Sequence, residues 1–190
     1  MRTSLLTTTT TTSLLLLLTT GSATPTGQHK TPSCTSKSSS MREWTVSDFD
    51  YHASYTFSTP AHQIAGGFVN FTLSNPVLSY KLSCPATSSQ LQDFFYGTMV
   101  YKCETAAGSG DDATFTFNRP TGELKINQTW SCPSEGSRFE ARGGVTLNLS
   151  CRDTKWQNPD WKMGQIYSTH NVDCQRVTVK APVSEMSGVA

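Results

Sequence analysis

The chain lacks an excess of charge of either sign, and it lacks a second long hydrophobic run after its N-terminal stretch. Fifteen lysines and arginines stand against fourteen aspartates and glutamates, which leaves no electrostatic basis for binding nucleic acid or an anionic membrane surface. Beyond the N-terminal stretch, no segment is long and apolar enough to span a bilayer. A clear helical hydrophobic period is also missing, which argues against a largely helical fold.

The motifs of common metal and hydrolase sites are absent as well. No Cys-x-x-Cys occurs and the cysteines are widely spaced, which argues against a structural zinc site. Gly-x-Ser-x-Gly, the nucleophile motif of many hydrolases, does not occur. His52, His62 and His170 could in principle act as general bases, but none lies in a nucleophile motif. The sequence therefore predicts no catalytic residue, no metal and no cofactor, and a secreted hydrolase is the least favoured alternative.

The N-terminal residues carry a targeting pattern. Residues 1–23 combine one early arginine, an apolar stretch and a small-residue end, which is the pattern of a secretory signal peptide. Removing them takes away one basic residue and leaves the charges balanced. Residues 24–43 are rich in Ser, Thr, Pro and Lys without periodicity, which predicts a flexible leader, tethered only if Cys34 is paired. We therefore expect a secreted, extracellular protein.

Residues 120–132 show the strand pattern most clearly. They open with the turn Pro120-Thr121-Gly122 and then alternate between apolar and polar positions. A period of two places the two sets on opposite faces of a strand. The set expected to face a core is Leu124, Ile126, Gln128, Trp130 and Cys132. Through the turn, this strand is expected to pair with a second one that carries Ala113, Phe115 and Phe117.

The same alternation recurs along the chain between turn signals. Short strands at this spacing predict an all-β fold, a compact antiparallel β-barrel or sandwich with two or three disulfides. We expect this domain to span residues 44–182, with a disordered tail over 183–190. Within the domain, residues 152–171 have no clear alternation and are expected to form a long connection.

Three N-glycosylation sequons begin at Asn70, Asn127 and Asn148. The alternation places each of these asparagines on the polar face of its stretch, where a glycan can reach solvent. The sequence therefore predicts a glycoprotein with three acceptor sites.

Six cysteines lie after the predicted signal peptide, and an even number in a secreted chain favours disulfides. Locality favours two pairs, Cys84 with Cys103 and Cys151 with Cys174, because each joins neighbouring inward-ending strands. A loop of that length stabilises the fold by roughly 3 kcal/mol in the chain-entropy model. Cys34 and Cys132 are left, either joined to each other or free for a partner.

A few polar and aromatic residues are candidates for binding. Gln128 would either satisfy a backbone group in the core or line a cavity for a small apolar ligand, such as a phenolic or a lipid. Trp156, Trp161 and Tyr167 would either anchor a partner or fold back over the Cys151–Cys174 pair. Tyr96 has the same two interpretations.

Several motifs together resemble one family of secreted proteins. They are Trp44-Thr-Val-Ser-Asp-Phe49, Leu82-Ser-Cys-Pro-Ala86, Tyr101-Lys-Cys103, the hairpin ending in Leu124-Lys-Ile-Asn-Gln128, and Cys151 with Asp173-Cys174-Gln175. In this order they resemble the fungal proteins typified by the major Alternaria allergen, over about residues 34–180. The resemblance implies a compact β-barrel confined to fungi, with the two local disulfides. It also implies an extracellular effector or elicitor that meets plant apoplastic defence proteins and is an allergen in some members.

The chain departs from this family at one cysteine. In the typical allergen the leading cysteine bridges two subunits, whereas here Cys132 is an additional cysteine that could pair with Cys34. We favour this intramolecular bond, and hence a monomer over a disulfide-linked dimer, because a free thiol is a liability in a secreted protein.

We expect the mature, deglycosylated protein to show the mass of a single chain with no free thiols when measured without reductant. The physical reason is that three intramolecular disulfides would consume all six cysteines. Intact mass spectrometry after alkylation tests this. A disulfide-linked dimer, or two alkylated cysteines, would contradict the Cys34–Cys132 pairing.

Overall fold

A computed structural model describes residues 32–105 and 110–189, so the predicted signal peptide and residues 24–31 lie outside the described residues. The described part contains one α-helix, ten β-strands and one short 3-10 turn. In chain order they are α1 (Cys34–Ser40), β1 (Glu43–Thr59), β2 (His62–Ser74), β3 (Lys81–Ser88), β4 (Tyr101–Lys102), β5 (Asp112–Asn118), β6 (Glu123–Cys132), the 3-10 turn (Pro133–Glu135), β7 (Ser137–Thr146), β8 (Cys151–Gln157), β9 (Ser168–Cys174) and β10 (Val177–Val189).

The strands form one antiparallel sheet that curls into a nearly closed barrel. Its order is β3-β2-β1-β10-β7-β6-β5-β4, and β9 joins β1 with β8 on its far side. The two ends of this path meet through a bridge between Ser83 of β3 and Glu104, next to β4. The all-β prediction is confirmed, and closure leaves few exposed sheet edges in the barrel itself.

Strand β6 has the register that its alternation predicts. Its inward set is buried along the whole strand, while Lys125 is exposed. The turn before it pairs Asn118 of β5 with Glu123 of β6. Gly122 has φ +72°, and a Cβ there would lie 2.4 Å from the Leu147 carbonyl oxygen, so the turn requires glycine.

Strand β1 is long enough to serve two parts of the molecule. Near its start Glu43 pairs with Pro182 of β10, and near its end Phe57 pairs with Ser168 of β9. A bulge separates the two halves at Asp48, whose φ is +54°, a conformation that aspartate tolerates better than most residues. Before the bulge the even-numbered residues of β1 face the core, and after it the odd-numbered residues do. The apolar side chains of both halves therefore point into the core.

Aromatic side chains fill much of the barrel interior, which also contains buried polar side chains. Phe49 packs against Phe71 and Phe117 at ring-centroid distances of 5.5 and 5.1 Å. Gln128 is buried among them, and its Oε1 accepts hydrogen bonds from Trp44 Nε1 at 2.7 Å and Asn75 Nδ2 at 3.0 Å. The structure therefore places Gln128 in the core, but the expected backbone partner is wrong, because its Oε1 binds two side chains and its Nε2 has no hydrogen-bond partner among the described residues.

The flexible leader predicted over residues 24–43 is wrong for its described part. Residues Cys34–Ser40 form α1, and Ser38 is buried. Its Oγ accepts a hydrogen bond from Trp130 Nε1 at 2.9 Å, which docks the helix on the barrel. Glu135 accepts hydrogen bonds from the backbone N–H groups of Cys34 and Thr35 at the start of the helix. The low hydrophobicity of this segment gave no indication of these polar contacts.

Three disulfides cross-link the described residues, and no described cysteine is free. Cys84 joins Cys103 and Cys151 joins Cys174, the two pairs favoured by locality. Cys34 joins Cys132, at a sequence separation of 98. This third bond fastens α1 to the end of β6, so the structure contains the intramolecular pairing favoured from the sequence.

The sequon asparagines occupy different environments. Asn70 lies exposed on β2, and Asn148 is exposed just after β7. Asn127 is half-buried on β6, and its Oδ1 is buried with no hydrogen-bond partner among the described residues. Glycosylation of all three stays a prediction, and Asn127 offers the least access to a glycan.

The tail predicted to be disordered over 183–190 is wrong for residues 183–189. Strand β10 continues through them and pairs with β7, from Val183 opposite Gly143 to Val189 opposite Arg138. Small and polar residues dominate this half of β10, so no apolar alternation indicated a strand. Backbone hydrogen bonds to β7 and close packing on Phe139 hold this half of β10 in place. The packing is so close that a Cβ on Gly188 would lie 2.7 Å from the Phe139 ring.

Truncation after Pro182 should destabilise the protein, because it removes the strand that pairs with β7 and uncovers buried Phe139. We expect a loss of about 1–3 kcal/mol in the free energy of unfolding. Thermal and urea unfolding measure this, with a chain lacking only Ala190 as the control. An unchanged midpoint would mean that residues 183–189 contribute nothing and that the tail behaves as a disordered segment.

Candidate interaction surface

Strands β8 and β9 form a hairpin that extends the second half of β1. His52 to Phe57 of β1 pair with Asp173 to Ser168 of β9, and β9 in turn pairs with β8 along its whole length. The long connection expected over residues 152–171 is therefore wrong for half of its length, the two strands, and the connection itself is the loop of residues 158–167. Strand β8 is exposed from Arg152 to Gln157, so it needs no apolar face, and the period-two signal is absent.

The loop of residues 158–167 at the end of this hairpin is ordered by its own hydrogen bonds. Gln165 Oε1 accepts from the backbone N–H of Lys162 at 3.0 Å. The backbone N–H of Tyr167 donates to the carbonyl oxygen of Phe57 at 2.7 Å, which ties the loop to β1. A loop fixed in this way loses little conformational entropy when it binds a partner.

Two of the three residues predicted to anchor a partner hold this loop together. The Trp161 and Tyr167 rings meet edge to face with centroids 5.8 Å apart, and both residues are half-buried. Trp161 Nε1 donates to the carbonyl oxygen of Gln165 at 2.9 Å, and Gln157 Nε2 donates to Tyr167 Oη at the same distance. Their polar groups are thus already engaged within the hairpin.

Trp156, the third predicted anchor, lies on β8 and is 51% exposed. It stands five residues from Cys151, about 17 Å along an extended strand. It therefore does not fold over the Cys151–Cys174 disulfide. Tyr96, which had the same two interpretations, accepts hydrogen bonds from the backbone N–H groups of Gln92 and Asp93 and shapes its own loop.

The structure adds three exposed apolar side chains that the sequence did not single out. Met163 is 82% exposed and Ile166 is 48% exposed in the loop, and Ile64 is 66% exposed on β2. Isolated apolar residues in or near a loop carry no periodic signal, so their exposure could not be read from the sequence. Only the burial of the neighbouring Trp161 and Tyr167 shows which side chains remain outside.

Cross-strand pairing places Ile64 and Trp156 on one face. Trp156 pairs with Thr169, Thr169 with Thr56, and Thr56 with Ile64, and directly opposed residues point to the same side of a sheet. Nine large apolar side chains are exposed in the described residues. Four of them lie near the end of the sheet where β1 connects to β2 and β8 connects to β9. We call these four the hairpin-end surface: Ile64, Trp156, Met163 and Ile166.

The opposite face of the same sheet carries a polar and aromatic cluster. The His170 ring stacks on Tyr55 with centroids 5.0 Å apart, and His170 Nε2 lies 3.5 Å from Asp153 Oδ1. Burial, followed by the charge of Asp93, raises the pKa of Tyr55. Nearer the barrel, burial raises the pKa of Tyr51 to about 12. Both phenols therefore stay neutral at physiological pH and act as packing and hydrogen-bonding groups.

The other two histidines occupy separate contacts. His52 stacks on Phe68 with ring centroids 4.9 Å apart, and His62 Nδ1 lies 2.8 Å from Ser58 Oγ. The three histidines thus do not share one site. Within residues 32–105 and 110–189, no group of three or more His, Cys, Asp or Glu side chains could hold a metal ion, and no helix is long and apolar enough to cross a membrane.

A recess lies on the outer face of β5, β6 and β7, away from the hairpin-end surface. It has a volume of about 730 Å³, and its lining includes Thr114, Thr116, Lys125 and Arg142 with Val100 at its rim. Gln128, which lies in the barrel interior, is not among the residues that line it. The interior cavity considered for Gln128 is therefore replaced by a recess on the outside of the barrel.

Comparison with known proteins adds the family. A family model described as Alternaria alternata allergen 1 matches residues 46–174. The chain belongs to this family. The match runs from within β1 to the end of β9, so it includes the hairpin-end surface and both local disulfides. The family is not a known enzyme family. No curated protein and no solved structure matches the chain.

Proposed function

We propose that this member of the allergen family is a secreted fungal effector or elicitor that binds an extracellular plant defence protein through the hairpin-end surface. The observation that carries the proposal is the concentration of exposed apolar side chains on an ordered hairpin. Trp156 on β8 is its largest side chain, and tryptophan is among the residues that contribute most to protein interfaces. The proposed action is binding and requires no catalytic residue.

The physical case for a protein partner rests on exposure combined with order. Trp156 and Met163 expose 51% and 82% of their surface to solvent, and covering them would provide the hydrophobic part of the binding free energy. The hydrogen bonds of the loop fix the backbone that presents Met163 and Ile166. The polar neighbours Thr56 and Thr169 are suited to the mixed composition of a non-obligate interface.

The disulfides support the extracellular part of the proposal. All six cysteines of the sequence are paired in the structure. Disulfides form and persist in oxidising compartments such as the extracellular space. Together with the targeting pattern of residues 1–23 and the allergen family, this supports secretion.

The test is affinity capture from plant apoplastic fluid followed by a direct affinity measurement with the captured protein. We expect Trp156→Ala/Met163→Ala to weaken that affinity at least about ten-fold, because it removes two exposed anchors. Leu91→Ala/Met99→Ala is the matched control, since both residues are comparably exposed elsewhere and this variant should bind as the wild type does.

Both variants must keep the wild-type melting temperature for the comparison to hold. Equal loss in the two variants, or full binding by Trp156→Ala/Met163→Ala, would contradict the assignment to the hairpin-end surface. Absence of any captured plant protein would count against the effector function itself.

The recess on β5, β6 and β7 favours a second candidate function, carriage of a small ligand. Its volume of about 730 Å³ lies within the usual range of small-molecule sites. Phenolic or lipid ligands would find apolar contact at Val100 and Val145, and hydrogen-bond partners at Thr114 and Asn127. We therefore propose this outer recess, rather than the packed interior, as the site of any carried ligand.

Native mass spectrometry of the secreted protein tests this second function. We expect a small phenolic or lipid to co-purify with the wild type and to be lost from Thr116→Trp, because the indole would occupy the recess. Thr87→Trp, on the outside of β3, is the control and should retain the ligand. A wild-type protein free of any ligand, or a ligand retained by Thr116→Trp, would refute the proposal.

A further inference from the structure

Strand β8 presents an open sheet edge. Among the described strands it pairs only with β9, and every residue from Arg152 to Gln157 is exposed. An open edge offers unpaired backbone N–H and C=O groups that another extended strand can bind. The sequence along this edge determines which strand would fit.

The hydrogen-bond pattern shows which β8 residues have free backbone groups. The backbone N–H of Gln175 donates to Ser150 O and that of Asn158 donates to Tyr167 O, so the even-numbered positions of this strand bond to β9. Hydrogen-bonded and non-bonded pairs alternate in an antiparallel ladder. Asp153 and Lys155 therefore direct their backbone N–H and C=O groups away from β9, toward the open edge.

The charges on β8 are arranged symmetrically about Thr154. The strand reads Arg152-Asp153-Thr154-Lys155-Trp156. When two copies pair antiparallel with Thr154 opposite Thr154, Asp153 of each copy faces Lys155 of the other. These positions are the ones with free backbone groups, so the charge pairs coincide with the available hydrogen bonds. We propose that two copies of this chain associate without covalent linkage through antiparallel β8–β8 pairing centred on Thr154.

The opposite face of the paired strands is complementary too. Arg152 and Trp156 point to the other side of the sheet from Asp153, and in this register Arg152 of each copy faces Trp156 of the second copy. A guanidinium near an indole ring is a favourable cation–π arrangement. Each face of the paired strands thus contains the same favourable contact twice, because a two-fold axis repeats every contact.

The neighbouring registers are disfavoured. The backbone pattern allows shifts only in steps that keep Asp153 and Lys155 at the bonding positions. One such shift puts Asp153 opposite Asp153, and the other puts Lys155 opposite Lys155. Like charges directly opposite each other destabilise a strand pair, so a single register is selected.

A charged edge can also protect a sheet from pairing, and that role would need no symmetry. The opposite signs of Asp153 and Lys155 distinguish the two roles, because a protective edge would work as well with two charges of the same sign. The proposed contact does not rest on the proposed function. It also differs from a disulfide-linked dimer, since Cys34 is already bonded to Cys132.

Analytical ultracentrifugation of the mature protein up to millimolar concentration tests the association. We expect a reversible dimer whose dissociation constant rises about ten-fold in Asp153→Lys alone and in Lys155→Asp alone, because each change creates two like-charge contacts. An equimolar mixture of the two single variants should associate again as a heterodimer, and Asp153→Lys/Lys155→Asp should recover the wild-type dissociation constant. Each variant must keep the wild-type melting temperature.

A monomer at every concentration would overturn the proposal, as would a dimer that neither single variant weakens. Failure of the mixture to associate would overturn the register. A cross-link provides a second measurement: Thr154→Cys should form an interchain disulfide on mild oxidation, because this non-bonded pair brings the two Cα atoms to about 4.5 Å. Thr87→Cys, exposed on β3, should not, and equal cross-linking of both variants would count against pairing at Thr154.

Discussion

The bulge in β1 at Asp48 is the constraint on which both parts of the molecule depend. Up to Phe49, just after the bulge, β1 pairs with β10 and helps close the barrel, and from His52 onward it pairs with β9 and supports the exposed hairpin. The positive φ of Asp48 and the hydrogen bond from its backbone N–H to Thr178 Oγ1 at 3.1 Å hold the change of register. A strand without this break would keep one inward parity, and the aromatic residues on its two halves could not all reach the core.

The barrel and the hairpin it carries are cross-linked by disulfides at three separate places. Cys84–Cys103 joins the two ends of the sheet path, Cys151–Cys174 joins the hairpin strands, and Cys34–Cys132 fastens α1 to β6. Inside, the indole N–H groups of the two fully buried tryptophans donate to Gln128 and Ser38, while Gln128 Nε2 has no hydrogen-bond partner among the described residues. Satisfied polar groups in an apolar interior favour one packing arrangement over others, so the exposed elements are carried on a rigid base.

Much of the fold could be predicted from the sequence because barrel strands bury one face, and a buried face leaves a period-two signal. Strand β6, its turn at Gly122 and the two local disulfides follow from that signal and from spacing. Strand β8 and the last half of strand β10 gave no such signal. The residues of β8 are exposed on both faces, and those at the end of β10 are mostly small or polar. Helix α1 was missed for a related reason, because hydrogen bonds to Glu135 and Trp130 hold it rather than an apolar face.

The same distinction applies to the candidate site: some of its features follow from the sequence, and others depend on tertiary contacts. The sequence by itself determined the all-β class, the inward residues of the core strands, the family resemblance and the importance of the aromatic residues between 156 and 167, because composition, alternation and order are properties of the chain. Only the tertiary structure decided that Trp161 and Tyr167 turn inward, that Trp156, Met163 and Ile166 remain outside with Ile64, and that β8 lies at an open edge. Exposure and edge position depend on which strand packs beside which, and that is set by contacts between residues far apart in sequence.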